Sequence, residues 1–315
     1  MAFKKILIVG FERRHLDEDY WKRLDSLASQ VVILPNASPE LKNNLADADC
    51  LLVSFSTAVG RGEIDSAPSL KYIGVLATAF GRIDVAYAKS KGIVVSNIPG
   101  YSTESVAEFV FAAILENCRN LAKARVQGAE GNYSDVGFSA FEIKGKAFGI
   151  LGLGRIGHRV AELASAFGAK VVYWSKHPRA DGEIQGITYL EPDELISKCD
   201  FISINLALNT ETEKFFNANR IKSLKKGSVV VNFSPMDLVD VDALAARLEN
   251  ADVTFILDHA DEMKTEEVAK IAKFNNCIIY PPIGFVSREA RIAKEDIFLA
   301  NVEGFLKGSP LNVVS

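Results

Sequence analysis

The sequence predicts an α/β protein with two domains, each built on a parallel β-sheet. Short apolar segments alternate with helix-like segments over the first hundred residues, and the same alternation resumes at Lys146. A long amphipathic helix, which Ser102 or Thr103 can cap, separates the two alternating regions. The chain has 315 residues, of which 48% are hydrophobic, so it is long enough to fill two cores.

The first region contains five strand-like segments and at least two helix-like segments. The predicted helices at residues 17–27 and 84–90 lie between predicted strands, as in a parallel sheet with helical crossovers. The predicted strands are residues 6–9, 31–34, 50–53, 72–76 and 93–95.

The helix after Ser102 has an apolar face at helical spacing, so we expect it to join the two domains and to be available for packing against another subunit. That face consists of Val106, Phe109, Val110, Ala113 and Ile114. The strands predicted after it are residues 146–151, 171–174, 201–204, 229–232, 253–257 and 277–280, and a last helix is predicted from about residue 287 to residue 306.

A glycine motif opens the second alternating region. Gly152, Gly154 and Gly157 follow the apolar strand at 146–151 with G-x-G-x-x-G spacing, and a helical pattern that includes Arg155 and Ile156 begins there. The first glycine permits a tight turn, the second admits a pyrophosphate, and the third lets helix pack on strand. The motif therefore predicts a dinucleotide site at the helix N-terminus. The alternative is a glycine-rich loop in some other α/β protein.

The residues after the second strand of this unit indicate which dinucleotide binds. An acidic residue there would bind the ribose 2′-hydroxyl of NAD, but the sequence has Ser175, Lys176, His177 and Arg179 instead. Cationic and hydroxyl groups suit a 2′-phosphate. We therefore predict NADP(H) over NAD(H). An ordinary charged surface turn is the alternative.

Composition argues against several classes of function. The net charge is −4 and no basic run is longer than two residues, so a nucleic-acid surface is not expected. No apolar stretch approaches the ~20 residues that cross a bilayer. The N-terminus shows no signal-peptide cleavage pattern, and the four cysteines form no C-x-x-C pair. We expect a cytoplasmic protein with free thiols and no metal site.

Several segments together resemble the D-2-hydroxyacid dehydrogenase family, especially glycerate dehydrogenase and the hydroxypyruvate and glyoxylate reductases. These are residues 92–108, 142–146, 208–212, 231–232 and 257–258 and the tail 301–314. The resemblance implies a flavodoxin-like substrate domain at residues 1–100 and 288–315 and a Rossmann NAD(P)-binding domain at 101–287. It also implies a homodimer, with the helix after Ser102 in the interface.

The resemblance also implies which residues contact the ligands. Asp258 matches the acid that binds the nicotinamide carboxamide. The family's substrate loop, whose backbone N–H groups would bind a carboxylate, corresponds to Ala77, Thr78, Ala79 and Phe80. Beyond the glycine motif and the turn after the second strand, the implied cofactor contacts are Ala207, Thr212, Phe233, Ser234, Asp258, Pro282 and Gly284.

The sequence departs from the family at its three catalytic positions. Reduction of a 2-keto acid needs a proton donor, usually histidine, and a cation that orients and polarises the substrate. The family's arginine is Pro235 here, its glutamate is Asp261 and its histidine is Pro282. Both prolines lack a donor and a charge, whereas Asp261 keeps a carboxylate of shorter reach.

Three residues are candidates to replace the missing groups. His259 neighbours Asp258 at a strand end and is a candidate acid, although alternation along a strand favours a side chain that points away from the cleft. Asp261 keeps the acidic position, and Arg82, just past the substrate loop, is the candidate cation. His15 lies in another loop that could face the cleft. For Arg82 and His15 a solvated loop residue is the alternative.

Three functions stay open on the sequence. The first is an NADP(H)-binding oxidoreductase with a changed small-molecule carbonyl or carboxylate substrate. The second is a non-catalytic NADP(H)-binding sensor or regulatory protein. The third is an active hydroxypyruvate or glyoxylate reductase that uses substitute residues.

Overall fold

The computed structural model describes residues 2–178 and 186–314. The Arg179 position named above lies outside the described residues. The chain folds into two compact units. Unit 1 consists of Met1–Ser102 and Ser287–Ser315, and unit 2 consists of Thr103–Val286.

Unit 1 contains a five-stranded parallel sheet in the order β2-β1-β3-β4-β5. Its strands are β1 (Phe3–Val9), β2 (Ala28–Leu34), β3 (Cys50–Val53), β4 (Tyr72–Val75) and β5 (Val94–Ser96). The helices between them are α1 (Glu18–Ser26), α2 (Leu41–Leu45), α3 (Arg61–Asp65) and α4 (Val85–Ser90).

Strand β1 lies inside the sheet, and its apolar run Ile6–Val9 packs on both faces. Ile6 and Ile8 pack into one hydrophobic cluster, and Leu7 and Val9 pack into another. Because neighbouring side chains of a strand point to opposite faces, this run fills a core on each side of the sheet.

Unit 2 contains a seven-stranded parallel sheet in the order β12-β11-β10-β9-β6-β7-β8. Its strands are β6 (Ala147–Leu151), β7 (Lys170–Trp174), β8 (Thr188–Tyr189), β9 (Phe201–Ile204), β10 (Val229–Asn232), β11 (Thr254–Leu257) and β12 (Cys277–Ile279). Its helices are α5 (Thr103–Arg119), α6 (Leu121–Ala129), α7 (Arg155–Ala166), α8 (Pro192–Lys198), α9 (Ala218–Ser223), α10 (Val241–Leu248) and α11 (Thr265–Ala272).

The strand order reverses at β6. The chain passes from β6 outward to β7 and β8, and then returns to place β9 on the other side of β6. In open α/β sheets, ligands bind beyond the carboxyl ends of the strands at such a switch point. We therefore expect a ligand site at the loops after β6, β9, β10 and β11.

The last helix, α12 (Arg288–Leu306), belongs to unit 1. Its N-cap Ser287 accepts a hydrogen bond from the Ala290 N–H at 3.0 Å, which ends the preceding loop. Phe298 and Val302 lie in the same hydrophobic cluster as Ile6 and Ile8. The two chain ends therefore form one core.

The structure confirms the predicted α/β class with parallel sheets. Three predicted strands, residues 50–53, 201–204 and 229–232, have the predicted bounds. Strand β8 was missed because a two-residue edge strand has no periodicity to detect. No helix within the described residues is both long and apolar enough to cross a membrane. Those residues also contain no group of three potential metal ligands.

Candidate nucleotide-binding and active site

The first glycine of the motif forms the turn between β6 and α7. Gly152 has φ +96°, and a Cβ there would lie 2.6 Å from the carbonyl oxygen of Asn205. Its N–H donates to the Trp174 carbonyl oxygen at 2.8 Å, at the end of β7. A side chain at this position would thus clash with the residue after β9 and strain the backbone.

The other two glycines differ in the space around them. A Cβ on Gly157 would lie 1.9 Å from the Gly152 carbonyl oxygen, so this glycine lets α7 pack on the turn. A Cβ on Gly154 would meet no atom within 4 Å. Gly154 is the N-cap of α7, so this open space lies at a helix N-terminus, where N–H groups bind phosphate. Of the two predicted contacts that follow, Arg155 is exposed and Ile156 is half-buried.

The turn after β7 carries the residues that were predicted to select the dinucleotide. Ser175 Oγ donates to the His177 carbonyl oxygen at 2.7 Å, which orders the turn. Lys176 and His177 are exposed, and Lys176 forms an ion pair with Glu211. The hydrogen bond from Lys176 lowers the pKa of the Glu211 carboxyl. A 2′-phosphate at this turn would therefore compete with Glu211 for the lysine.

The loop after β9 is held by one hydroxyl. Thr212 Oγ1 donates to the Ala207 carbonyl oxygen at 2.7 Å and accepts from the Asn209 N–H at 2.8 Å. Both predicted contacts therefore belong to a single ordered turn. Asn209 was not among the predicted residues, yet its Oδ1 also accepts from the Glu211 N–H at 2.9 Å.

The segment after β10 is connected to its neighbours on two sides. Ser234 Oγ donates to the Ile204 carbonyl oxygen at 3.2 Å, which links the ends of β10 and β9. The Phe233 ring packs on Phe109 of α5, with ring centroids 4.9 Å apart. Pro235 then begins the 3-10 turn Met236–Leu238.

Asp258, directly after β11, is the buried acid of the site. The residue is 1% exposed, and its Oδ2 accepts from the Gly284 N–H at 3.0 Å. Its Oδ1 is buried and accepts no hydrogen bond from the described residues. Burial raises the pKa of this carboxyl above its ordinary value. An amide N–H₂ group, such as a nicotinamide carboxamide, would satisfy the unpaired oxygen.

Gly284 packs directly against this acid. A Cβ on Gly284 would lie 2.8 Å from Asp258 Oδ2 and 3.2 Å from Cδ1 of Phe109. Its carbonyl oxygen accepts from Ser105 Oγ at 3.0 Å. Pro282, two residues earlier, is half-buried.

His259 lies beside the unpaired oxygen of Asp258. Its Nε2 is 3.6 Å from Asp258 Oδ1, and its Nδ1 is 3.8 Å from Glu262 Oε1. Strand β11 ends at Leu257, so the alternation of strand side chains does not govern residue 259. Asp261, in the 3-10 turn Ala260–Glu262, is exposed. Glu262 was not singled out in the sequence because charged turn residues are common.

The predicted substrate loop belongs to unit 1. The Ala77 carbonyl oxygen accepts from the Ile98 N–H at 2.9 Å, and Thr78 Oγ1 donates to the Ile98 carbonyl oxygen at 2.7 Å. These bonds fix the start of the loop, while Ala79 and Phe80 are exposed.

The other two candidates of unit 1 lie in loops. Arg82 is exposed, and its carbonyl oxygen accepts from the Val59 N–H at 3.0 Å. His15 is also exposed, and its Nδ1 lies 2.9 Å from the Glu12 backbone nitrogen. Neither contact is with a residue of the nucleotide site in unit 2.

Comparison with known proteins shows which family the chain is similar to. Residues 111–284 match the model of the D-isomer specific 2-hydroxyacid dehydrogenase NAD binding domain. A hydroxypyruvate reductase of Blautia hydrogenotrophica is 33% identical over 307 residues, which cover 94% of each chain. A glyoxylate reductase of Thermococcus litoralis is 31% identical over 293 residues, 89% of this chain and 88% of the relative.

Solved structures are similar over nearly the whole chain. An acyclic imino acid reductase in complex with NADPH and D-Arg is 28% identical, with a TM-score of 0.86, covering 99% of this chain and 100% of that chain. A D-lactate dehydrogenase from Aquifex aeolicus, complexed with NAD and lactic acid, is 29% identical, with a TM-score of 0.86 and 98% of each chain covered. The protein therefore belongs to the D-2-hydroxyacid dehydrogenase family, a family of nicotinamide-dependent oxidoreductases.

Proposed function

We propose that this protein is an NADP(H)-preferring oxidoreductase whose substrate differs from the usual 2-keto acids of its family. Asp258 carries this proposal, because its unpaired Oδ1 is buried and can accept from a nicotinamide carboxamide. Gly152, Gly154 and Gly157 would hold the pyrophosphate at the N-terminus of α7. When bound, the nicotinamide supplies or accepts a hydride.

The preference for NADP(H) rests on the turn after β7. Ser175, Lys176 and His177 offer hydroxyl and cationic groups to a 2′-phosphate, and Arg179 follows them in the sequence. The similar structures contain NADPH in one case and NAD in another, so both cofactors are used by relatives. Fluorescence titration with both reduced dinucleotides tests the preference, and tighter binding of NADH would contradict it.

We infer that the usual catalytic side chains are lost because Pro235, Asp261 and Pro282 match the positions of the family's arginine, glutamate and histidine. A general acid contributes about 10²- to 10⁴-fold to such a reaction. An oriented cation that stabilises developing charge contributes a further ~10²- to 10³-fold. Ordinary 2-keto acid reduction should therefore be very slow.

A non-catalytic NADP(H)-binding sensor or regulatory protein is the second candidate, since the same observations support binding without turnover. A panel of carbonyl substrates with NADPH consumption as the readout separates the two. If the protein turns over any substrate of the panel and His259→Ala or Asp261→Ala abolishes that turnover, the result supports an altered enzyme. A silent panel together with tight NADPH binding supports a sensor.

The third candidate is an active hydroxypyruvate or glyoxylate reductase, the activity in the names of the relatives. It would need His259 to replace the missing acid; the imidazole Nε2 lies 3.6 Å from Asp258 Oδ1. It would also need a substitute cation, for which Arg82 is the candidate. Normal family rates on either substrate would favour this function.

We assign the dinucleotide to unit 2 and the substrate loop, Ala77 to Phe80, to unit 1. The four cysteines are unpaired and buried, which suits a reducing cytoplasm. We also propose a homodimer, although four of the five apolar residues predicted to face another subunit from the helix after Ser102 are buried in unit 2. Instead, α6 and the segment after it expose apolar side chains. These are Leu121, Val126, Tyr133, Val136 and Phe141. Sedimentation analysis tests this assembly, and a monomer at micromolar concentration would contradict it.

A further inference from the structure

The predicted substrate loop is attached to the residues that follow β5, and both segments belong to unit 1. The Ala77 carbonyl oxygen accepts from the Ile98 N–H at 2.9 Å. The Thr78 carbonyl oxygen accepts from Asn97 Nδ2 at 2.6 Å, and Thr78 Oγ1 donates to the Ile98 carbonyl oxygen at 2.7 Å. Asn97 and Ile98 are both buried, so these three bonds anchor the loop to the core of unit 1.

The same bonds set the direction of the peptide N–H groups in the loop. The N–H and the C=O of a trans peptide point in opposite directions. Because the carbonyl groups of Ala77 and Thr78 face residues 97–98, the N–H groups of Thr78 and Ala79 point away from those residues. Neither N–H donates a hydrogen bond to any described residue. Two successive N–H groups on one side of a loop can bind a carboxylate.

Asn97 is itself held by two asparagines from the C-terminal part of unit 1. Its carbonyl oxygen accepts from Nδ2 of Asn301, on α12, at 2.7 Å. Oδ1 of Asn301 accepts from Asn312 Nδ2 at 2.8 Å, and the Asn312 carbonyl oxygen accepts from the Asn97 N–H at 3.2 Å. The three asparagines therefore form a closed ring of hydrogen bonds, and Nδ2 of Asn97 extends from this ring to the loop.

The centre of the ring is buried and fully paired. Asn301 is 1% exposed, and both polar atoms of its side chain form hydrogen bonds within the ring. A buried amide is costly to leave unpaired, and a satisfied network of such groups fixes one arrangement of its members. The orientation of Asn97 therefore depends on the bond that Asn301 receives from Asn312.

The segment that carries Asn312, residues 309–314, pairs with the edge of the unit 1 sheet. Ser96, at the end of β5, donates from Oγ to the Leu311 carbonyl oxygen at 2.7 Å and pairs with Val313 in an antiparallel bridge. Asn312 lies between these contacts, with an exposed side chain and a left-handed φ of +49°. Its backbone is thus fixed by the sheet edge, and its side chain completes the ring.

We propose that Asn97, Asn301 and Asn312 are positioning residues of the substrate loop, and that the segment after α12 thereby sets the affinity of this loop for a carboxylate. The inference rests on the proposed function, in which the loop from Ala77 to Phe80 binds the substrate carboxylate. The three side chains act through the direction of the peptide groups next to Thr78.

Binding of a carboxylate to the protein saturated with NADPH gives the first test. Calorimetry compares lactate with lactamide, a neutral molecule of nearly the same shape, and neither accepts a hydride from the reduced cofactor. The variant is Asn312→Gly, because glycine adopts the left-handed conformation and the side-chain bond to Asn301 is lost. Lactate should bind about threefold to fivefold more weakly to this variant, whereas lactamide should change less than about twofold.

The matched control is Ala251→Gly. Ala251 is exposed and has a φ of +50°, so glycine has the same effect on the backbone there without removing a side-chain donor. The control should leave the affinities for lactate and lactamide unchanged. Equal losses of both ligands in Asn312→Gly would indicate a general loss of structure and overturn the proposal. An unchanged affinity of Asn312→Gly for lactate would also overturn it.

Hydrogen exchange gives a second readout that needs no bound ligand. The Ile98 N–H, which donates to the Ala77 carbonyl oxygen, should exchange about threefold to fivefold faster in Asn312→Gly, while the amides of β1 keep their rates. Asn97→Asp should give a larger increase, because it replaces the donor to the Thr78 carbonyl oxygen by an acceptor. Unchanged exchange of Ile98 in both variants would contradict the proposal.

Failure of the proposed function and failure of this inference give different results. If the unchanged protein does not bind NADPH, or binds lactate and lactamide equally, the cofactor site or the loop assignment is wrong and this inference fails with it. If the unchanged protein prefers lactate and Asn312→Gly keeps the full preference, the loop assignment stands. The three asparagines would then serve the fold alone, and the inference would be wrong.

Discussion

The backbone N–H of Gly284 donates to Oδ2 of Asp258 at 3.0 Å, while Oδ1 of the same carboxylate stays without a hydrogen bond from the described residues. Gly284 lies close enough that any Cβ would be 2.8 Å from Oδ2. This contact holds one oxygen of the acid and leaves the other available to a bound group.

Gly284→Ala should destabilise unit 2. The new methyl group would overlap Asp258 Oδ2 and press on Phe109, and such overpacking costs about 1–3 kcal/mol in the free energy of unfolding. Urea denaturation measures the loss. The matched control is Gly128→Ala in α6, where a Cβ meets nothing within 4 Å. That control should gain about 0.5 kcal/mol, and equal stability of both variants would show that the contact is not tight.

The second and third glycines of the motif, Gly154 and Gly157, should separate binding from folding. Gly157→Ala should lower the free energy of unfolding by about 1–3 kcal/mol, because its Cβ would overlap the Gly152 carbonyl oxygen. Gly154→Ala has free space and should leave stability within about 0.5 kcal/mol. Its methyl group should instead weaken NADPH binding at least about tenfold, or ~1.4 kcal/mol. Unchanged affinity in Gly154→Ala would argue against a pyrophosphate at this turn.

Asp258→Asn should make the protein more stable at neutral pH. Burial raises the pKa of Asp258 in the folded state, so ionisation there opposes folding. The stability that this carboxyl contributes is present below its unfolded pKa, near 3.8, and is lost as the pH rises through the raised folded value. The asparagine variant should therefore gain about 1 kcal/mol at pH ~7, and the gain should shrink toward pH ~4.

Denaturation of both proteins across this pH range measures the effect. Asp242→Asn serves as the control, because the hydrogen bond from Lys270 lowers the pKa of Asp242. Replacing Asp242 should therefore bring no gain in the free energy of unfolding at neutral pH. A less stable Asp258→Asn protein at neutral pH would show that attraction to His259 outweighs the cost of burial.

Lys176→Gln should weaken the binding of NADPH about threefold to tenfold and leave NADH unchanged, because only NADPH carries a 2′-phosphate. Glu211→Gln should act in the opposite direction, since it frees Lys176 from its ion pair. Competitive fluorescence titrations with both dinucleotides measure the ratio. A parallel change for NADH and NADPH would indicate that Lys176 does not reach the phosphate.

Apolar patterning was sufficient to predict the central strands. Strand β3 is an uninterrupted apolar run, and Ser203 is the one polar residue of β9; all residues of both strands are buried, and sequence and structure agree on their bounds. Strand β2 begins at Ala28, three residues before the predicted start, because its exposed first part is polar and is ordered by pairing with β1. Pairing across the sheet is not visible in local periodicity.

The details of the site depend on contacts distant in sequence. The sequence indicated that Lys176 is exposed and cationic, but its pairing with Glu211 requires the loops after β7 and β9 to meet. The orientation of His259 toward Asp258 follows from the backbone turn after Leu257, which no spacing rule predicts. The tight turn at Gly152 and the close packing of α7 at Gly157, in contrast, follow from the spacing of the motif and agree with the structure.

One pair of assays on the purified protein tests the central claim most directly. NADPH and NADH are titrated by fluorescence, and NADPH oxidation is then measured with hydroxypyruvate and with glyoxylate. We predict that NADPH binds, and binds more tightly than NADH, while both substrates turn over at least about 10²-fold more slowly than in a family member that retains the acid and the cation. Turnover of either substrate at family rates, or failure of both dinucleotides to bind, would contradict this prediction.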